Sequence, residues 1–286
     1  MKIVFFGTPE FSVPFLQALI DAKDFDVVAV VTQPDKPVGR KQILTPSPVR
    51  VLAEASKIPV LPYPTLKKDS VRDELAALQA DVYVVVAYGK LIPQPILELP
   101  PLGAINVHPS MLPKFRGPSP IQYAVASGEN ETAVSIMLLD AGMDTGPILA
   151  QEPVAILPTD TTPTLSERLM AVGAPLLVDT LRGYQAGTIK PTSQNDADAS
   201  ITKLLDREDG RIDWNEPAEV IERKIRAYTP WPGSFAVVQH NGAELRVKIL
   251  KAELMNGKLA ILSVQPEGKQ PMSYQEFQRG YGQIVP

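Results

Sequence analysis

MKIVFFGTPEFSVPFLQALIDA, residues 1–22, decides how the chain begins and what kind of sheet follows. Residues 2–6 are β-branched and aromatic apart from the leading Lys2, and the run is closed by Gly7-Thr8-Pro9. That is a strand stopped at a tight turn. Apolar residues then fall at Phe11, Phe15, Leu16 and Leu19, which is helical spacing. Outward from this strand–turn–helix opening the pattern repeats. Residues 25–31 and 81–87 (DVYVVVA) are further apolar runs, as expected of strands buried on both faces of a parallel sheet. Between them the sequence predicts a helix from Ser47-Pro48 to about Lys57, with Ser47 as its cap and the proline in its first turn, and a second helix over 69–79. Alternating strand and helix predicts a doubly wound, mostly parallel Rossmann-like α/β sheet with right-handed crossovers. Ligands of such sheets bind at the carboxyl ends of the strands.

The next strand end is the most informative. In GAINVHPSMLPKFRGPSPIQ, residues 103–122, a short apolar strand over 104–107 stops at a proline-rich turn. Strand side chains alternate faces, so Asn106 and His108 point the same way. An amide can donate to a developing oxyanion and an imidazole can carry a proton near neutral pH. The same pair can also simply start a turn. Residues 119–128 read as the following helix, and 133–139 and 148–156 as strands flanking the acidic loop DAGMDTG, residues 140–146. Asp144 sits on that loop, from which a carboxylate can turn back to hold the imidazole. Gly7-Thr8, the loop from Thr32, Tyr88-Gly89 and the 106–110 segment all fall at strand ends, so the locally chosen pieces converge on one edge.

Composition narrows the function classes. The 286 residues carry a net charge of −4 with 44% apolar residues, the profile of a folded globular chain. There is no cysteine, which excludes disulfides, thiolate metal sites and a cysteine nucleophile, and fits a cytoplasmic protein. Only His108 and His240 are present, so no metal centre is expected. No apolar run approaches the roughly 18 residues of a membrane span, so no membrane partner is expected either.

Residues 32–49, TQPDKPVGRKQILTPSPV, form a long aperiodic loop, and such loops are usually functional. A long amphipathic helix over 164–184 closes a first domain, residues 1–187. Residues 188–205 are polar and weakly periodic and read as a linker. In 206–286 a helix is expected over 218–228, then two hairpins turning at Asn241-Gly242 and Asn256-Gly257, and a last helix capped by Ser273 with Glu276. Short strands joined in this way predict a small β-barrel-like domain of the OB type.

Taken in order, GTPEF, TQPDKPVGR, PSPV, VVVAYG, INVHPSMLPKFRGPSPIQ, DAGMDTG, RIDW and IRAYTPWPG resemble the methionyl-tRNA formyltransferases, a branch of the folate-dependent formyltransferases. The resemblance covers nearly the whole chain. It implies transfer of a formyl group from 10-formyltetrahydrofolate to the amine of methionine on the initiator tRNA, with Asn106, His108 and Asp144 as catalytic residues and no metal. It further implies a folate pocket lined by Ser110, Met111, Leu112 and Pro113 and by Val86, Ala87, Tyr88 and Gly89. Arg40 and Lys41, in the long loop, correspond to the part that reaches the amino acid and the acceptor end of the tRNA. Lys114 and Arg116 either touch phosphate or cap the turn. A monomer is expected. Gly7-Thr8 lacks the G-x-G-x-x-G of a dinucleotide site.

The C-terminal region departs from the pattern. Only AELMNGK separates Lys251 from Leu259, so the barrel is expected to be short or incomplete. Residues 206–286 hold eleven Lys and Arg against eleven Asp and Glu, and so form no basic funnel for nucleic acid. Two alternatives follow: a formyltransferase of the same family acting on an amino-sugar nucleotide or on glycinamide ribonucleotide, and a non-catalytic folate- or RNA-binding protein.

Overall fold

The computed structural model describes residues 1–39 and 41–284. In chain order the elements are β1 (Lys2–Gly7), α1 (Val13–Asp21), β2 (Asp26–Val31), β3 (Lys36–Val38), β4 (Ile43–Thr45), α2 (Pro48–Ala55), β5 (Val60–Leu61), α3 (Asp69–Ala77), β6 (Val82–Val86), α4 (Gln94–Leu97), β7 (Ala104–His108), α5 (Pro120–Ser127), β8 (Glu131–Leu138), β9 (Ile148–Ala155) and α6 (Thr162–Gln185). Then come α7 (Ala218–Ala227), β10 (Phe235–His240), β11 (Ala243–Met255), β12 (Lys258–Pro266), β13 (Met272–Ser273) and α8 (Tyr274–Tyr281).

Seven strands form one sheet in the order β5-β2-β1-β6-β7-β8-β9. The pairs β1/β2, β1/β6, β2/β5 and β6/β7 are parallel, while β7/β8 is antiparallel. This is the expected doubly wound, mostly parallel sheet. Its central strands are apolar throughout because both faces are covered: Ile3, Val4, Phe5 and Phe6 are all fully buried. On one face Val4 and Phe6 join Ala29, Val31, Val71, Leu75, Tyr83 and Val85 in a single cluster, with the Phe6 ring edge-on to Tyr88 at 5.6 Å. The Val, Leu and Phe side chains among them each contribute about 1.5–3 kcal/mol on burial. The cluster packs α3 against β1, β2 and β6. Ser47 does cap α2, accepting from Arg50 N at 3.2 Å.

The chain folds as two compact units that do not follow chain order. The first comprises 1–116, 133–154 and 167–200, and the second 117–132, 155–166 and 201–286. Residues 117–132 join the second unit because α5 packs against α7 there, with Arg223 Nε donating to Ala126 O at 3.2 Å. Gly128 ends α5 in the left-handed region, φ +77°, and a Cβ there would stand 2.9 Å from the Arg223 guanidinium. The remainder of this unit is a four-stranded antiparallel sheet, β10-β11-β12-β13, covered by α7 and α8. Asn241-Gly242 and Asn256-Gly257 turn its hairpins with positive φ at all four residues. Ser273 and Glu276 make the capping box of α8. Among the described residues β10 does not pair with β13, so the sheet stays open, as the short sequence between β11 and β12 leads one to expect.

Several short elements go beyond the sequence expectations. The 32–49 loop contains the β3/β4 hairpin, which lacks the alternating pattern that would have revealed it. Strand β5 has two residues and helix α4 has four, too short for any periodicity to register.

Candidate active site

Strand β7 ends the parallel part of the sheet, with Asn106 opposite Val85 of β6 on one side and Met137 of β8 on the other. Period-2 alternation puts Asn106 and His108 on the same face. Asn106 is half-buried, and among the described residues its carboxamide has no hydrogen-bond partner.

His108 is buried at 4% exposure. Its Nε2 lies 3.0 Å from Phe115 O. A carbonyl only accepts, so Nε2 carries the hydrogen of the neutral ring and Nδ1 is left as the atom that takes up or releases a proton. Nδ1 faces Asp144 Oδ2 at 3.6 Å, too long for a hydrogen bond but within ion-pair range. The ring is thus oriented by the turn that follows it in sequence and faced by a carboxylate from another loop.

That loop, 140–146, runs between β8 and β9. Asp140 Oδ1 accepts from Gly142 N at 2.9 Å and from Thr145 Oγ1 at 2.6 Å. Asp144 takes a left-handed φ of +56°. Gly146 lies so close to β8 that a Cβ would stand 1.9 Å from Leu138 O. These contacts turn the Asp144 side chain back towards His108, and it is 16% exposed.

The turn after His108 is held from beneath. Ser135 Oγ, on β8, donates to Ser110 O at 2.6 Å and accepts from Gln151 Nε2 at 2.7 Å. Gln151 also donates to Leu112 O at 3.1 Å, and Ser110 Oγ donates to Lys114 O at 2.6 Å. Ser110 and Leu112 are buried, while Met111 and Pro113 are half-buried. The Leu112–Pro113 peptide is cis.

The end of β6 lies beside the end of β7. Val86 O accepts from Ser12 Oγ at 2.6 Å, and Tyr88 O accepts from Thr8 Oγ1 at 3.1 Å and Gln33 Nε2 at 2.8 Å. Ala87 and Gly89 are exposed with φ of +46° and +77°. A Cβ on Gly89 would meet Gln33 Nε2 at 2.7 Å, so backbone is presented where a side chain would intrude. Tyr88 is buried, and burial pushes its phenol up to about 12, which keeps it neutral.

The four basic residues expected to face tRNA have different settings. Arg40 lies outside the described residues. Lys41 and Lys114 are exposed. Arg116 is 6% exposed, with its guanidinium on Gln194 Oε1 and Asp196 Oδ1. Gln194, Ser135 and Gln151 were not singled out in the sequence. The first sits in a polar run that reads as linker, and the other two are single polar residues on apolar strands with no spacing to mark them.

The arrangement offers an amide donor, a buried imidazole faced by a carboxylate, and an exposed backbone cradle at one strand edge, which is what acyl transfer to an amine requires. Residues 1–181 match the formyl transferase family, and 204–258 match the formyl transferase C-terminal domain. The chain is 44% identical to a methionyl-tRNA formyltransferase of Roseiflexus sp. (strain RS-1), over 98% of this chain and 92% of that one. Among solved structures it is similar to a methionyl-tRNA formyltransferase from Clostridium thermocellum, with a TM-score of 0.64, 17% identity and coverage of 96% and 99%. It is also similar in fold to an N-formyltransferase from Helicobacter canadensis solved with folinic acid and dTDP-3-aminofucose, with a TM-score of 0.67, 21% identity and coverage of 90% and 88%. The fold alone therefore does not choose the acceptor, whereas the sequence match spans both parts of the chain. On that match, this chain belongs to the formyl transferase family, in its methionyl-tRNA formyltransferase branch.

Proposed function

We propose that this formyltransferase moves the formyl group of 10-formyltetrahydrofolate to the α-amine of methionine on the initiator tRNA, with Asn106, His108 and Asp144 as its catalytic residues. One observation carries the reading: Asp144 faces His108 at 3.6 Å, two residues along the same strand from Asn106, in a chain similar along almost its whole length to a methionyl-tRNA formyltransferase.

The methionine amine attacks the formyl carbon and gives up a proton as the new C–N bond forms, and the folate nitrogen leaves with the electron pair of the broken C–N bond and takes up a proton. The protein must then do three things. Asn106 Nδ2 donates to the formyl oxygen as it gains charge, a contribution worth about a hundredfold to a thousandfold in rate for a preorganised donor. His108 handles the proton at Nδ1, because Nε2 is engaged by Phe115 O. Nδ1 takes up the proton the amine gives up, with Asp144 Oδ2 facing the charged ring, and gives one back to the departing folate nitrogen. The Val86 to Gly89 segment and the Ser110 to Pro113 turn fit the donor as two walls. Exposed backbone at Ala87 and Gly89 leaves room for a flat heterocycle, and the buried Ser135 network keeps the opposite turn in place.

For the acceptor, the β3/β4 hairpin projects Val38, Ile43 and Leu44 into solvent beside Lys36 and Lys41. Apolar and basic groups together suit the stacked, charged end of a tRNA. Arg40, in the same hairpin sequence, is proposed as a contact to the acceptor end on its position in the motif, and Lys114 as a contact to phosphate. The enzyme is taken to act as a monomer in the cytoplasm, without a metal.

The test is an acceptor panel. Purified protein with 10-formyltetrahydrofolate is offered methionyl initiator tRNA, methionyl elongator tRNA, a dTDP-amino sugar and glycinamide ribonucleotide, and formylated product is counted. Turnover on the initiator tRNA alone, or far above the rest, supports the reading. Preferred turnover of the sugar or of glycinamide ribonucleotide would replace it.

A further inference from the structure

The 188–205 segment, polar enough to read as a tether, contains Gln194, which ties the acidic loop to the end of the His108 motif. Its Nε2 donates to Asp144 O at 2.9 Å and to Gly146 O at 2.7 Å. Its Oε1 accepts from Arg116 Nε at 3.1 Å and Nη2 at 2.9 Å. One amide thus uses both of its N–H groups and both acceptor sites. Arg116 is eight residues beyond His108 and buried, so it is a fixed post and not a mobile surface charge. The segment itself is pinned alongside: Ser200 Oγ accepts from Phe115 N at 2.8 Å, and Thr192 exchanges two 2.8 Å backbone bonds with Ile148.

The acidic loop has a physical need for such a tie. Asp144 has a φ of +56°, a region that strains a residue with a Cβ and persists only when the surroundings enforce it. Gln194 bonds the carbonyls of Asp144 and Gly146, and so fixes the peptide planes at Asp144 itself and two residues on. The Nδ1 to Oδ2 separation of 3.6 Å depends on where that backbone sits.

We infer that Gln194 is a positioning residue for formyl transfer: held by Arg116, it sets the Asp144 carboxylate against His108. The inference rests on the reading of His108 and Asp144 as the groups that handle the proton. Glutamine is required for a chemical reason. A glutamate would keep one oxygen on Arg116 but put the other, in place of Nε2, against two carbonyl oxygens, so Gln194→Glu cuts the chain of contacts at one link only.

The experiment measures kcat, KM for both substrates and the melting temperature of Gln194→Glu, each in the wild-type and the Asp144→Ala background. A folded Gln194→Glu protein with kcat lowered at least about tenfold, KM values within about twofold, and almost no further loss when Asp144 is already alanine is the expected result. Gln194→Met, uncharged and close in volume, carries the same expectation and replaces the glutamate variant if that one does not accumulate folded. A wild-type kcat in the folded variants, or the same fold-loss in both backgrounds, would overturn the inference alone. A wild-type rate in Asp144→Ala by itself would overturn the underlying reading of the site, and the inference with it.

Discussion

Two loops leave the same sheet and are built in opposite ways. The 140–146 loop is tied at nearly every turn: Asp140 to Gly142 and Thr145, Gly146 against β8, and Gln194 to two of its carbonyls. The 32–47 loop is fastened at its base, by Thr32 to Ser47 at 2.8 Å and Arg50 to Asp35 at 3.1 Å, while its hairpin carries Ile43 and Leu44 at 60% and 65% exposure. Moving a proton needs atoms held to fractions of an ångström, whereas meeting a large acceptor needs reach and an adaptable surface. In the proposed account the rigid loop serves chemistry and the projecting one serves recognition. Substitutions in the two loops should then fail differently, the first in kcat and the second in KM for tRNA.

The largest break should come at the strand end itself. Asn106→Ala removes the only side-chain donor assigned to the formyl oxygen, and kcat should fall about a hundredfold to a thousandfold with the fold intact, as read by steady-state formylation and circular dichroism. Next is Gly146→Ala. Its Cβ would stand 1.9 Å from a backbone oxygen that no rotamer change can move, so the loop must shift. A loss of at least about tenfold in kcat, with about 1–3 kcal/mol of stability, is expected from kinetics and denaturant titration. A variant with unchanged kcat would show that the loop need not be rigid. Smallest is Arg50→Ala, which releases Asp35 at the base of the other loop. Partly exposed ion pairs contribute about 0.2–1 kcal/mol, so the melting temperature should barely move and KM for tRNA should rise less than about threefold.

How much of this could be read from the sequence depends on how locally each feature is encoded. Asn106 and His108 were legible because a strand's period of two puts them on one face. Strands β1, β2 and β6 were legible because burial on both faces leaves nearly all their residues apolar. The Asn-Gly turns and the Ser273 cap were legible because each is a local stereochemical requirement. Asp144 could be placed on a loop, but its partnership with His108 came from the ordered motifs, since nothing local says which way a loop returns. Gln194 was missed altogether: TSQNDADAS looks like solvated chain, and its role exists only through contacts 48 to 78 residues away. The sequence around Arg116 suits either a phosphate contact or a turn, and only the fold reveals that its guanidinium points inward. The Cα path of the 117–132 segment into the second unit was likewise invisible, because α5 finds α7 across about a hundred residues.

The division of labour is tested most directly by single-turnover formylation at saturating folate, followed as a function of initiator methionyl-tRNA concentration. Two proteins are compared with the wild type: His108→Ala, and a hairpin variant with Val38, Ile43 and Leu44 all changed to Ser. The account expects His108→Ala to lower the limiting rate at least about a hundredfold at an unchanged half-saturating tRNA concentration. It expects the hairpin variant to raise that concentration severalfold while the limiting rate stays near wild type. A hairpin variant that loses limiting rate like His108→Ala, or a His108→Ala protein that reaches the wild-type rate once tRNA is saturating, would contradict it.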